Sequence, residues 1–318
     1  MGKRDFEDSA EWAFDADGNP YVPYQRKPHE WKVLEIAKLF QKEPPALDFV
    51  ISGLLVGTVG SIVAPGSVGK SFFALQTAIA VASASQSFDL LRLGEVKKGR
   101  VLVLAAEDPE QVIWHRMHAI GRHLPESVRK DVIENMVIVP CLGDGIDITD
   151  PRWEEDLRQL FERTKPRLVF IDTLTRVHSK DENAAMDAKE IMQILEALAN
   201  EFGCAVVFLH HVSKAAALGG LVELQQAARG SSVFVDNSRW QSFLAVMSSE
   251  EAKVAGISDT DRRRYVRWNT PKQNYGPPRP DQWFVRGEGG ILMAKGAEHI
   301  NVDEKPAKSS GKRKKMVY

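Results

Sequence analysis

From residue 54 onward, short uninterrupted apolar runs alternate with stretches whose apolar residues recur every three or four positions. The first kind, at 61–64, 100–106, 136–140, 168–172 and 205–211, has the length and the Val, Ile and Leu content of strands buried on both faces. The second kind, at 71–83, 109–124, 151–164 and 184–202, has helical spacing. Strand and helix in alternation predict an α/β domain built on a mostly parallel sheet. After residue 211 the rhythm changes. A small-residue run over 215–229 predicts a loop, and the segments 242–247, 264–270, 282–286 and 290–294, joined by turn residues, predict an antiparallel C-terminal extension.

The two ends follow neither rhythm. Residues 1–30 are polar and acidic, with Phe6, Trp12, Phe14, Tyr21 and Tyr24 at no sustained period, which predicts an extended arm. Within 30–41, Trp31, Leu34, Ala37 and Phe40 lie near helical spacing until Pro44-Pro45 stops it, predicting one short amphipathic helix. The tail carries Lys305, Lys308 and Lys312-Arg313-Lys314-Lys315 among Ser and Gly, with too little apolar content to fold alone. The expected organisation is an N-terminal arm over 1–45, a core over 46–295 and a basic, disordered tail over 296–318.

Composition narrows the function classes. With 318 residues, 43% hydrophobic and 27% charged, the chain has ordinary globular composition and can bury a full core. Its 42 Lys and Arg against 43 Asp and Glu argue against a globally basic nucleic-acid coater, so any DNA contact must come from particular loops. No run of about eighteen apolar residues occurs and no apolar segment follows the first residues, so a soluble, cytoplasmic protein with no membrane partner is expected. Cys141 and Cys204 follow or sit within strand-like stretches and are expected to be buried thiols, with no zinc.

The chemistry begins where the strand 61–64 runs into Pro65-Gly66-Ser67-Val68-Gly69-Lys70-Ser71 and then into helix-forming residues 72–82. This is the Walker A pattern in its strand–loop–helix context. Inward-facing backbone N–H groups and a helix N-terminus favour a polyphosphate. Lys70 would neutralise the outer phosphate oxygens and Ser71 would ligate Mg²⁺, so ATP and Mg²⁺ are the expected cofactors. Ala64 replaces the usual first glycine, at a position where an ordinary φ suffices, while Gly66 and Gly69 permit the tight turn.

Two carboxylates follow. Arg167-Leu168-Val169-Phe170-Ile171-Asp172 is an apolar strand ending in Asp, as the Walker B ligand of Mg²⁺ requires. The next residue is Thr173, so the tandem Asp-Glu that supplies a base in other P-loop classes is missing. The strand 101–106 ends instead in Glu107-Asp108-Pro109, which puts Glu107 where it can orient and deprotonate an attacking water. Asp108, before Pro109 and a helix, reads as that helix's N-cap. A base in this position is the arrangement of the RecA and DnaB class, and is expected to separate the chain from kinases and the wider AAA+ group.

The segments 64–71, Ala106-Glu107-Asp108-Pro109, Ile171-Asp172-Thr173-Leu174, 208–214, 225–232, Ser238-Arg239-Trp240-Gln241-Ser242 and Asn274-Tyr275-Gly276 closely resemble the RepA-type hexameric replicative helicases of broad-host-range plasmids. The resemblance covers about 44–294. It implies a RecA-like P-loop core, a homohexameric ring, single-stranded DNA in its channel, and 5′→3′ unwinding in plasmid replication, with a primase or initiator as further partner. Leu209-His210-His211-Val212-Ser213-Lys214, matched to DnaB-type helicases, places His211 at the γ-phosphate sensor and leaves His210 as a core histidine. Ring ATPases use a cation from the neighbouring subunit. Arg229 is the first candidate for it, and Lys272 the second, in a stretch where the family's arginine is replaced by Asn274. Tyr275 is a further nucleotide-contacting candidate, and 214–226, with Lys214, is the expected DNA loop. A docking role on the adjacent subunit is expected for the 30–41 helix. The competing classes are a RecA/RadA-type recombinase and a regulatory ATPase or helicase loader that does not unwind.

Overall fold

The computed structural model describes residues 13–14, 20–21, 31, 33–85, 88–212 and 232–295. The chain divides into two units, Met1–Ala46 and Leu47–Tyr318. In the first, strands β1 (Ala13–Phe14) and β2 (Pro20–Tyr21) pair antiparallel, and helix α1 spans Ile36–Gln41. The helix expected over 30–41 is therefore shorter at its start. Glu35 sits at the N-cap without a side-chain cap bond, no acidic residue occupies the first turn and no residue of α1 is buried, so nothing extends it backwards.

In the second unit, β3 (Phe49–Ile51) and β4 (Leu54–Leu55) form a small hairpin that the periodicity does not predict. The main body then runs β5 (Val59–Ala64), α2 (Lys70–Ser83), β6 (Val101–Ala105), α3 (Glu110–Gly121), α4 (Glu126–Asn135), β7 (Met136–Pro140), α5 (Pro151–Thr164), β8 (Leu168–Asp172), α6 (Ala185–Phe202) and β9 (Ala205–His211). It continues through α7 (Ser232–Asn237), β10 (Trp240–Val246), α8 (Ser249–Val254), β11 (Tyr265–Gln273), β12 (Gln282–Arg286) and β13 (Leu292–Ala294). These strands make one sheet in the order β13-β12-β11-β10-β5-β9-β8-β6-β7. The pairs from β10 to β7 are parallel, and those from β10 to β13 antiparallel.

This is the mostly parallel α/β sheet with an antiparallel extension that the sequence predicts, with two corrections. The first strand after the 215–229 run, β10, is parallel to β5, so the extension starts at β11 rather than at β10. Helix α4 is the second: only Val128 and Val132 of Glu-Ser-Val-Arg-Lys-Asp-Val-Ile-Glu-Asn are buried, too narrow a stripe to stand out in the pattern.

Strand alternation sorts the core into two layers. Val101, Val103, Leu168, Phe170, Val207 and Leu209 pack with α2, α4 and the inner side of the extension. Leu102, Leu104, Val169, Ile171, Val206 and Phe208 pack with α5, α6 and Phe234 of α7. The extension joins the first layer through aromatic contacts: Phe73 of α2 lies 5.2 Å from Trp268 and 5.9 Å from Phe284, ring centre to ring centre. Cys141 and Cys204 are free and buried, and burial raises their thiols to about 11 and about 12. Among the described residues no helix is long and apolar enough to cross a membrane.

Candidate nucleotide-binding site

The carboxyl ends of β5, β6, β8 and β9 open onto the N-terminus of α2, the place where α/β sheets bind ligands. Alternation decides which end residues face it. Val101, Val103 and Ala105 lead to Glu107; Leu168 and Phe170 to Asp172; Val207 and Leu209 to His211. Asp172 and His211 are in phase with the layer that packs on α2, and Glu107 follows two residues beyond the end of β6. One cleft of about 310 Å³ results, lined by residues that include Ser67, Gly69, Lys70, Ser71, Glu107 and His211.

The loop after β5 reaches α2 through two left-handed residues, Ser67 at φ 65° and Gly69 at φ 106°. Gly69 is the N-cap of α2 and needs a residue without Cβ; the other left-handed position falls on Ser67 rather than on Gly66. Lys70 follows, with 5% of its surface exposed. Its Nζ donates to Ala64 O at 3.2 Å and Pro65 O at 3.4 Å, and lies 2.9 Å from His211 Nδ1. Burial lowers the ammonium to about 8 against the opposing pull of Glu107 and Asp172, a deficit that a polyphosphate would remove.

An ammonium has no acceptor, so Nδ1 of His211 must accept from Lys70. That leaves Nε2–H to donate to Glu107 Oε2, 3.2 Å away. A continuous chain thus runs from Lys70 through His211 to Glu107, whose side chain stays partly exposed. Asp172, by contrast, is buried. Burial raises it to about 6, with a hydrogen bond from the Ser71 hydroxyl pulling the other way and Glu107 and Asp108 adding to the rise. Its Oδ1 is buried without a hydrogen-bond partner.

An orphaned carboxylate oxygen beside a hydroxyl at the mouth of a phosphate loop fits a hard divalent cation such as Mg²⁺. Among the described residues no three of His, Cys, Asp and Glu gather as a metal-binding group, so Ser71 and Asp172 would supply a minority of the ligands. When bound, such an ion neutralises charge on the terminal phosphates. The chain's own part is to present one hydroxyl, one carboxylate and the Lys70 ammonium from fixed directions.

Residues 25–217 match the family model described as AAA domain. The chain belongs to that family. Among solved structures it is similar to one described as an ATPase domain, at 16% identity and a TM-score of 0.53 over 81% of this chain and 95% of that one. The fold is therefore the RecA-like P-loop type.

The remaining predicted residues divide into placed and unplaced. Asp108 is not the N-cap of α3; Pro109 takes that position, and Asp108 pairs with Arg116 at 2.5 Å because α3 brings that guanidinium back over the strand end. Lys272 does not line this chain's cleft, and its Nζ donates to Asp236 O at 2.6 Å. Tyr275 also lies off the cleft, partly exposed. Arg229 and the 214–226 loop fall outside the described residues. Phe72, Arg116, Arg286 and Gly290, not predicted from the sequence, also line the cleft. Arg116 lies 5.7 Å above the Phe72 ring. Phe72 follows Ser71 directly and is within reach of a motif reading; Arg286 and Gly290 come to the cleft only through the fold of the extension.

Proposed function

We propose that this chain hydrolyses ATP with Mg²⁺ and uses the turnover to drive DNA unwinding. The observation that carries the enzymatic half is the chain Lys70–His211–Glu107 across the mouth of the phosphate loop, with Ser71 and Asp172 beside it. Glu107 is the base that takes the proton of the attacking water, Lys70 stabilises the outer phosphates, and Pro65 to Ser71 cradle them. His211 senses the γ-phosphate: an anion drawing Lys70 away from Nδ1 frees the imidazole, and β9 leads directly into the segment read as the DNA loop.

The helicase half rests on the motif resemblance and on a fold shared with a solved ATPase domain. In this reading the protein is a homohexameric ring around single-stranded DNA, moving 5′→3′ in plasmid replication with a primase or initiator. Arg229 of the adjoining subunit, or Lys272, completes the cleft in trans. Residues 1–45 form an arm, 46–295 the motor core and 296–318 a basic tail. The test is strand displacement on forked duplexes carrying either a 5′ or a 3′ tail, with Lys70→Ala as control. ATP-dependent displacement from the 5′-tailed fork is expected. Turnover without displacement of either fork would leave a regulatory ATPase, and filaments instead of rings by electron microscopy would leave a recombinase.

A further inference from the structure

Arg286 is the last residue of β12, in phase with Phe284 and so on the side of the extension that faces α2. Its Nη2 donates to Val68 O at 2.7 Å and to Ser67 O at 3.2 Å, across more than two hundred residues of sequence. The hairpin that carries it is seated independently. Gln76 of α2 donates from Nε2 to Leu292 O at 2.7 Å and accepts from Leu292 N–H at 2.9 Å. A side chain at Gly290 would come within 2.7 Å of the Phe72 ring. Guanidinium and loop are thus held at a fixed separation.

We infer that Arg286 is a positioning residue of the nucleotide site, which aims the amides of the phosphate loop by gripping their carbonyls from behind. Across a trans peptide the C=O of one residue and the N–H of the next point in opposite directions. The Ser67–Val68 and Val68–Gly69 peptides are trans. Drawing Ser67 O and Val68 O toward Arg286 therefore turns the N–H groups of Val68 and Gly69 away from the guanidinium, which in this proposal aims them at the phosphate beside Lys70. The cation also polarises both peptide groups, strengthening them as donors. No ion pair to a carboxylate is formed by Arg286 among the described residues, and desolvation alone lowers its guanidinium, so its charge is left to the loop and to whatever anion the loop holds.

This rests on the cleft being a nucleotide site, and the test separates the two. Affinity for a fluorescent ADP derivative, and kcat and KM for ATP, are measured on the full chain as wild type, Arg286→Ala, Arg286→Lys and Gln76→Leu. Loss of a charge-assisted pair of hydrogen bonds should raise the Kd and KM of Arg286→Ala about 10- to 100-fold, with kcat at saturation within about threefold. Arg286→Lys, keeping the charge and a donor, should recover part of the affinity, and millimolar guanidinium should tighten binding by Arg286→Ala but not by Gln76→Leu. An unchanged Kd in Arg286→Ala overturns the inference, as does a loss that neither lysine nor guanidinium relieves, since that is the mark of a hairpin that merely packs. If the alanine variant does not fold, Arg286→Lys decides: wild-type affinity and KM count against positioning, and a Kd raised severalfold supports it. Wild type that binds no ADP would remove the nucleotide reading itself.

Discussion

His210 and His211 are neighbours on one strand and live in different chemistry. His211 stands at the carboxyl end of β9 with Lys70 at its Nδ1 and Glu107 at its Nε2, and its side chain is 41% exposed. His210 points to the opposite layer, where its ring is 5.8 Å from that of Phe234 and its Nδ1 is 4.0 Å from Glu182. The same carboxylate accepts from the Thr175 hydroxyl and lies 3.2 Å from His178 Nε2. Burial lowers His210 from its ordinary value against the pull of Glu182, with His211, Lys70 and His178 adding to the lowering. The same residue type one position apart is a site group on one face and a packing group on the other. The period of two along a strand is the cause, and residue type alone cannot assign the roles.

Four measurements put that contrast to the test. The largest effect is expected from Lys70→Ala, which removes the cation that both His211 and a phosphate address: ATP turnover should fall by about a thousandfold or more, with thermal melting close to wild type. His211→Ala should cost about a hundredfold in turnover and little stability, because the side chain is partly exposed. His210→Ala should do the reverse, lowering unfolding free energy by about 2–3 kcal/mol in denaturant titrations while turnover at low temperature stays within about threefold. Equal turnover losses at the two positions would erase the distinction.

The smallest effect is in pH. A histidine whose folded value lies below its unfolded 6.5 binds more protons when unfolded, so its contribution to stability is present above that value and is lost as pH falls below it. The melting temperature of wild type should therefore drop between about pH 7.5 and 5.5, and the drop should be shallower in His210→Gln. Identical slopes would mean that His210 is not held neutral by its surroundings.

The parallel half of the molecule is legible in the sequence because its strands are buried on both faces: 168–172 and 205–211 are found with the limits their apolar runs suggest. Lys70, Ser71, Asp172 and His211 stand at element ends and Glu107 just past one, so motif, strand limit and alternation together bring Lys70, Ser71, Glu107 and His211 to one cleft, with Asp172 buried beside Ser71. What cannot be read depends on partners distant in sequence. The parallel pairing of β10 to β5 is a matter of sheet order, the Asp108–Arg116 pair depends on how α3 leaves β6, and Arg286 looks like any cation at a strand end until the extension curls over α2. Helix α4 is hidden by its own polarity, with two buried valines in ten residues.

The most direct test sets Glu107→Gln beside wild type in magnesium, reading ATP turnover and ADP affinity in the same preparations. Removing the proposed base while keeping the side chain's shape should lower turnover by about 10² to 10⁴-fold and leave ADP binding within a few-fold. Wild type that turns over no ATP, or a Gln variant that turns it over at the wild-type rate, would contradict the assignment of this cleft.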